Sequence, residues 1–336
     1  MTILVTGTAG FIGFHVANRL LNDGHDVVGI DSINDYYDTD LKYERLRHAG
    51  IDKERTIDGQ HTVSNKTSSY SFYKGMLEDK NLLEKIFGDY SPQVVINLAA
   101  QAGVRHSLNH PDAYISSNIT GFMNLLECCR HSNVQHLVYA STSGVYGLND
   151  VPYSTSQKTD EPISIYAVTK KTNELMAHAY SYLFKLPTTG LRFFSVYGPW
   201  GRPDMALFLF TKKILAGEAI QVFNEGNMMR DFTYIDDIVE SVSRVMHKPP
   251  ETSVPGKIYN IGNNAPVKLL EFIDAIENEL GRRAQKEFLP LQPGDVPVTY
   301  AHVDDLVKHI GFKPSTPVAG GVKKFIDWYK WYYKID

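Results

Sequence analysis

Cysteine is almost missing from these 336 residues. The two present, Cys128 and Cys129, are adjacent and have no Cys-x-x-Cys or Cys/His spacing that would hold zinc, so they read as buried thiols in a reducing compartment. The 12 histidines are not read as a metal site, which leaves His106 and His110 as surface or core residues. No apolar run reaches the roughly 18–20 residues that span a bilayer, and MTILVTG at the start reads as a strand with none of the features of a signal peptide. The expectation is a cytoplasmic protein with no membrane partner. No basic block is present either: Lys+Arg 34 against Asp+Glu 38 gives a formal charge of −4, which excludes a surface that tracks a phosphodiester backbone. Nucleic acid is therefore not expected as a partner.

Apolar residues make up 43% of the chain, enough for one large or two medium domains. Short β-branched runs at 2–6, 26–31, 93–99, 136–141 and 188–194 alternate with helical patterns near 11–22, 79–88, 112–131 and 166–184. Strand alternating with helix predicts an α/β protein with a Rossmann-type, doubly wound parallel sheet. Beyond about residue 195 the alternation weakens, and a helical stretch at 207–217 stands apart from a strand-like KIYNIG at 257–262. That portion reads as a smaller α/β C-terminal substrate-binding domain, dividing the chain into 1–190 and 191–336 with more than one crossing between them. The polar stretch near 50–70 has no apolar period and reads as a surface loop, and the aromatic WYKWYYKID at the C-terminus reads as packing.

Two motifs carry chemistry. In TGTAGFIG, Gly7, Gly10 and Gly13 stand between the first strand and the first helix, where glycine permits a tight turn and close approach of a pyrophosphate to the helix N-terminus. Asp31 ends the second strand about 20 residues on, placed to accept hydrogen bonds from the ribose hydroxyls. This predicts a dinucleotide site, and an acid at that position favours NAD over NADP. In Tyr166-Ala-Val-Thr-Lys170, phenol and ammonium lie one helical turn apart on the same face. The lysine charge favours phenolate, so Tyr166 can act as a general base. A third stretch, YASTSGVYG at 139–147, ends an apolar strand in three hydroxyls, Ser141, Thr142 and Ser143, with no carboxylate.

Together with NLAAQAGVR (97–105), Asn118, LRFFSVYGPWGRPD (191–204), RDFTYIDD (230–237) and GDV (294–296), these residues resemble the extended short-chain dehydrogenase/reductases that act on nucleotide-sugars. NDYYD (34–38), LKYERL (41–46) and GPWGRPDMA (198–206) sharpen the resemblance toward UDP-glucuronate 4-epimerases. The resemblance implies that Thr142, Tyr166 and Lys170 are catalytic. It implies that Gly7, Gly10, Phe11, Ile12, Gly13, Asp31, Leu77, Ala99 and Lys170 bind NAD. It further implies substrate contacts from Thr142, Ser143, Gly144, Tyr166 and Ser195. The guanidinium forks of Arg202 and Arg230 suit the UDP phosphates, with Asp295 on the uridine ribose. Arg105 is left open between touching the substrate and bracing a loop. No Asp-Glu pair follows Thr142, as it would in a dehydratase, nor the glutamate of a decarboxylase; Ser143 and Gly144 stand there instead. A UDP-glucose/UDP-galactose 4-epimerase would share every catalytic residue, and a non-catalytic NAD sensor would need neither the Tyr/Lys pair nor the hydroxyls. The resemblance implies a homodimer formed through the helices near 112–131 and 166–184, and a UDP-galacturonate maker would suit polysaccharide biosynthesis. Two departures, Met76 in place of an aspartate that contacts adenine and Asn97 in place of a histidine, bear on cofactor affinity.

Overall fold

The structure, a computed structural model, describes residues 1–335. Thr2–Thr6 forms β1 and Asp26–Asp31 forms β2, paired in parallel with Ile3 opposite Val27. His61–Val63 (β3), Tyr70–Lys74 (β4), Val94–Asn97 (β5), His136–Thr142 (β6) and Thr188–Phe193 (β7) join the same sheet. Four short strands lie outside it: Ser195–Tyr197 (β8), Ile220–Phe223 (β9), Met229–Arg230 (β10) and Phe232–Tyr234 (β11). Gly256–Ile261 (β12) then returns to pair with β7, giving an eight-stranded sheet in the order β12-β7-β6-β5-β1-β2-β4-β3. Val267–Lys268 (β13) pairs with β10, and Lys286–Leu289 (β14) with β9.

Helices cover both faces, which is why the strands read as near-continuous apolar runs. Phe11–Asn22 (α1) and, much later, Ile235–Met246 (α9) cover one face and are tied by an Arg19–Glu240 ion pair of 2.6 Å. Lys80–Tyr90 (α3), Gly121–His131 (α6) and Ile165–Phe184 (α7) cover the other. The period-two alternation of a strand divides β1 accordingly. Ile3 and Val5 belong to the core that holds Phe14, Leu20, Ile238 and Val242, while Leu4 belongs to the core of Leu83, Ile86, Leu125 and Leu126. Between these helices come Thr39–His48 (α2), Val104–Asn109 (α4) and Pro111–Tyr114 (α5), and the C-terminal portion adds Ala206–Ala216 (α8), Leu269–Leu280 (α10), Asp304–Ile310 (α11) and Val318–Tyr333 (α12).

The doubly wound parallel sheet is as expected, with two differences. The 50–70 stretch is not all loop: β3 pairs antiparallel with β4 at the sheet edge, burying Thr62. Three residues are too few to show a period. β12 and α9, both beyond residue 190, cross back and pack into the sheet layers. The pattern at 112–131 is not one regular helix either. Residues 115–120 form a π-helical stretch between α5 and α6, where Asn118 accepts from the Gln101 amide (2.8 Å) and donates to the Thr169 hydroxyl (3.0 Å). Those side-chain bonds stabilise the extra residue in the helical turn. The aromatic C-terminus packs as read, with Trp328 buried 5.3 Å from the Trp200 ring. Cys128 and Cys129 are buried and free, and burial pushes the Cys128 thiol up to about 11.

Candidate active site

Strand order reverses between β1 and β5, and a crevice opens there beyond the strands' C-terminal ends, as in other doubly wound sheets. It continues into a cavity of about 1380 Å³ that reaches the C-terminal portion. A pocket for one small molecule is typically about 300–1,000 Å³, so this one has room for two linked or adjoining nucleotides.

The glycine loop forms its floor at one end. Gly7 follows β1 with φ +78°, a left-handed conformation that other residues adopt only under strain, and a Cβ on Gly13 would stand 2.1 Å from the Gly7 carbonyl oxygen. Gly10 starts α1 without a side-chain cap, so the amides of Phe11, Ile12 and Gly13 are open to an anion at the cavity wall. Asp31 lines the same end, and its carboxylate accepts from the amides of Ala9 (3.0 Å) and Ile33 (2.8 Å). It thus holds the loop while facing the place a ribose would occupy. Ala99, whose amide donates to Thr6 Oγ1 (2.9 Å), lines the opposite wall with Met76 and Leu77; the Leu77 carbonyl accepts from Asn124 (3.1 Å). Asn97 is buried and accepts from Thr6 Oγ1 (2.6 Å), so it braces β1 against β5 from behind the cavity. These features fit a dinucleotide: uncapped amides for the pyrophosphate, a close-packed glycine turn and an acid beyond the second strand.

The reactive groups converge further along. Thr142 ends β6, and α7 begins one turn before Lys170, capped by Ser164 Oγ accepting from the Ala167 amide (3.2 Å). Tyr166 and Lys170 both face the cavity, and Tyr114 meets the Tyr166 ring edge-on at 6.2 Å. Burial raises the Tyr166 phenol above its ordinary value, while the Arg202 charge and the Thr142 hydroxyl draw it back. Burial pushes the Lys170 ammonium down to about 8, opposed by Glu174 one turn further along α7. Glu174 is gripped by Arg192, Nε and Nη2 each at 2.8 Å, and by the Ser141 hydroxyl at 2.6 Å. Ser141 is therefore spent on anchoring α7 to β6 and is not available to a substrate. The Gly144 amide is also engaged, donating to Thr142 Oγ1 at 3.1 Å. Ser143 remains open to the cavity.

Other expected positions are rearranged. Arg202 does not stand as a free phosphate ligand. Its Nε meets Asp204 Oδ1 at 3.0 Å and its Nη2 meets Oδ2 at 2.5 Å, and its charge acts on Tyr166, which puts it at the reactive end. Tyr36 donates to the same carboxylate (3.1 Å). Against the upward push of burial, the Arg202 guanidinium and this hydroxyl hold the Asp204 carboxyl below its ordinary value. Arg230 and Asp295 line the far end but bond each other at 2.8 Å, with Arg230 Nη1 on the Met229 and Pro297 carbonyls. Ser195 lines the wall between the two ends. Arg105 lines the cavity with an exposed side chain, and its guanidinium stacks 4.3 Å from the Phe223 ring. His106 and His110, read as surface or core, stack on each other at 4.4 Å in the cavity wall, with His110 exposed, brought there by the short α4. Tyr36, Asp204, Glu174 and Arg192 were not singled out from the sequence. For Tyr36 and Asp204 the available signal was their place inside NDYYD and GRPD. Among the described residues no group of three or more His, Cys, Asp or Glu forms a metal site.

A doubly wound sheet with a glycine turn, an acid after its second strand and a Tyr/Lys pair on a helix beside a hydroxyl strand end defines a dinucleotide-dependent dehydrogenase-type scaffold. The chain belongs to the NAD dependent epimerase/dehydratase family, whose model matches residues 3–262. It is 57% identical to Protein CapI of Staphylococcus aureus, covering 99% of this chain and 100% of that one. It is 45% identical to a probable UDP-glucuronate 4-epimerase of Rhizobium meliloti, covering 99% and 98%. Among solved structures it is similar to the UDP-glucuronic acid 4-epimerase of Bacillus cereus in complex with UDP-glucuronic acid and NAD, with a TM-score of 0.89 at 32% identity over 99% and 100% of the two chains.

Proposed function

We propose that the chain inverts C4 of UDP-glucuronate to give UDP-galacturonate, with NAD held in the glycine-loop end of the cavity. When bound, NAD supplies a hydride acceptor that takes the C4 hydrogen of the sugar and gives it back to the opposite face. Tyr166 takes the proton from O4 and later returns it, Thr142 orients that hydroxyl, and the Lys170 ammonium favours phenolate through its charge. The cavity lets the 4-keto sugar turn over while the UDP end stays near Arg230 and Asp295.

The observation that carries the sugar assignment is the wall around Tyr166. It presents hydroxyls and the Arg202 cation, and the nearby Asp204 is already bound by Arg202 and Tyr36. Elimination needs a free acid and base beside the sugar, and this wall supplies none beyond Tyr166. A hexuronate carboxylate, by contrast, meets a cation and hydroxyl donors. The test uses purified protein with no added cofactor, given UDP-glucuronate or UDP-glucose and followed by NMR. UDP-galacturonate is the expected product. In Arg202→Met, kcat/KM is expected to fall about 30-fold for UDP-glucuronate and only a few-fold for UDP-glucose. Preferential turnover of the neutral sugar, or appearance of a pentose, overturns the assignment.

The same reading includes a second copy of the chain docked on α6 and α7. These helices expose Met123, Val168, Leu175, Tyr182 and Leu183, the last 63% exposed, and single exposed apolar residues are ordinary while a stripe of them is not. Light scattering is expected to give the mass of a dimer and Leu175→Glu/Leu183→Glu that of one chain. A monomeric wild type rules the pairing out. No helix among the described residues is long and apolar enough to cross a membrane, and the buried free thiols suit the cytoplasm.

A further inference from the structure

Arg45 is fully buried on α2 and has no carboxylate partner among the described residues. Its Nη1 donates to the Ala9 carbonyl in the glycine turn (2.8 Å) and to the Tyr37 hydroxyl (2.7 Å). Its Nη2 donates to the carbonyls of Trp200 (2.7 Å) and Gly201 (3.3 Å), and its Nε has no partner. A guanidinium buried among neutral acceptors is a costly arrangement, and the protein gains from it only what those bonds fix in place.

They fix two turns, one 36 residues before Arg45 in the chain and the other 155 residues after it. Ala9 is held from both sides, its amide by Asp31 and its carbonyl by Arg45. Trp200, at the other turn, has φ +60°, a left-handed conformation unfavourable for a bulky residue, and its carbonyl is the one that Arg45 binds. Arg202 follows two residues later and continues through Asp204 to Tyr36, whose neighbour Tyr37 returns to Arg45. The loop of contacts is closed, running from the pyrophosphate turn to the cation that faces Tyr166.

We propose that Arg45 is a positioning residue that couples the dinucleotide turn to the turn carrying Arg202, so that one buried cation sets both the cofactor end and the sugar end of the site. This rests on Arg202 working at the sugar, as proposed above. It touches neither ligand.

The test compares Arg45→Met, which keeps the stem and loses every donor, with Arg45→Lys, which keeps the charge and loses the fork. Each is purified as the full chain and measured for NAD retained per chain after gel filtration, then for kcat and KM with NAD in excess. Arg45→Met is expected to lose most of its retained NAD and, with NAD restored, to keep KM raised by about tenfold. Arg45→Lys is expected to recover NAD retention in part but not KM, since one ammonium cannot bind both turns. In a double-mutant cycle, Arg202→Lys is expected to cost about tenfold in KM in the wild-type background and no more than about twofold in Arg45→Met. A merely structural staple lowers the melting temperature but leaves NAD retention normal and the cycle additive, and either result overturns the proposal. If the wild type turns over UDP-glucose and not UDP-glucuronate, the sugar assignment fails, while normal NAD retention in Arg45→Met still overturns this proposal by itself. If Arg45→Met is insoluble, normal NAD retention and unchanged KM in Arg45→Lys overturn the proposal.

Discussion

Tyr166→Phe is expected to lower kcat for UDP-glucuronate by about a thousandfold while KM stays within about threefold. The substitution removes one oxygen from a half-buried ring that keeps its edge-on contact with Tyr114, so neither the helix nor the cavity changes shape. What is lost is the only group at the strand end able to take the O4 proton. Thr142 and Ser143 are alcohols whose own protons are far less acidic than a phenol's, Lys170 already carries its proton at neutral pH, and Asp204 is bound by Arg202 and Tyr36. NAD retention is expected to be unchanged, because the proposed dinucleotide contacts are the glycine turn, Asp31 and Ala99 at the other end of the cavity. Stopped assays of UDP-galacturonate formation, with NAD released by acid and quantified, measure both. More than about a tenth of wild-type kcat would assign the proton to another group.

Lys170→Met is expected to cost about a hundredfold in kcat/KM and, unlike Tyr166→Phe, to change the pH profile. Burial lowers the ammonium to about 8. Its charge, and with it the support for phenolate, is therefore lost as pH rises through about 8, so the wild type is expected to lose activity on that alkaline side. Lys170→Arg keeps its charge and is expected to move that limb to higher pH. The stability effect has the opposite sense. The folded value lies below the ordinary 10.5, so between about 8 and 10.5 the unfolded chain binds more protons and the group's contribution to stability improves as pH rises. Below about 8 both states are protonated and burying the charge is a constant cost. Lys170→Met is thus expected to melt at a higher temperature than the wild type at pH 7, with the gap narrowing toward pH 10. An unshifted pH profile in Lys170→Arg, together with an unchanged melting temperature in Lys170→Met, would remove Lys170 from this role.

Both predictions concern residues that are legible in the amino-acid sequence alone, and the reason is local. A glycine turn between a strand and a helix, an acid ending the next strand, and Tyr166 one turn before Lys170 take their geometry from neighbours a few residues away. The hydroxyl run was legible in composition but not in direction. Alternation along β6 sends Ser141 toward Glu174 and Thr142 toward Tyr166, and the engaged Gly144 amide emerges only from the turn that follows.

By itself, then, the sequence determined the doubly wound sheet, the glycine turn and the one-turn spacing of Tyr166 and Lys170, because strand and helix periods and short spacings are properties of contiguous residues. Tertiary structure alone decided that β12 returns to the sheet and that Arg105 stacks on Phe223. It also decided that Arg202 lies where its charge acts on Tyr166 and pairs with Asp204, which Tyr36 binds across 168 residues, and that Arg45 binds two distant turns. Such contacts carry no periodic signature. They arise where packed helices and turns bring together groups that would be costly to bury singly, and only the folded chain specifies which groups those are.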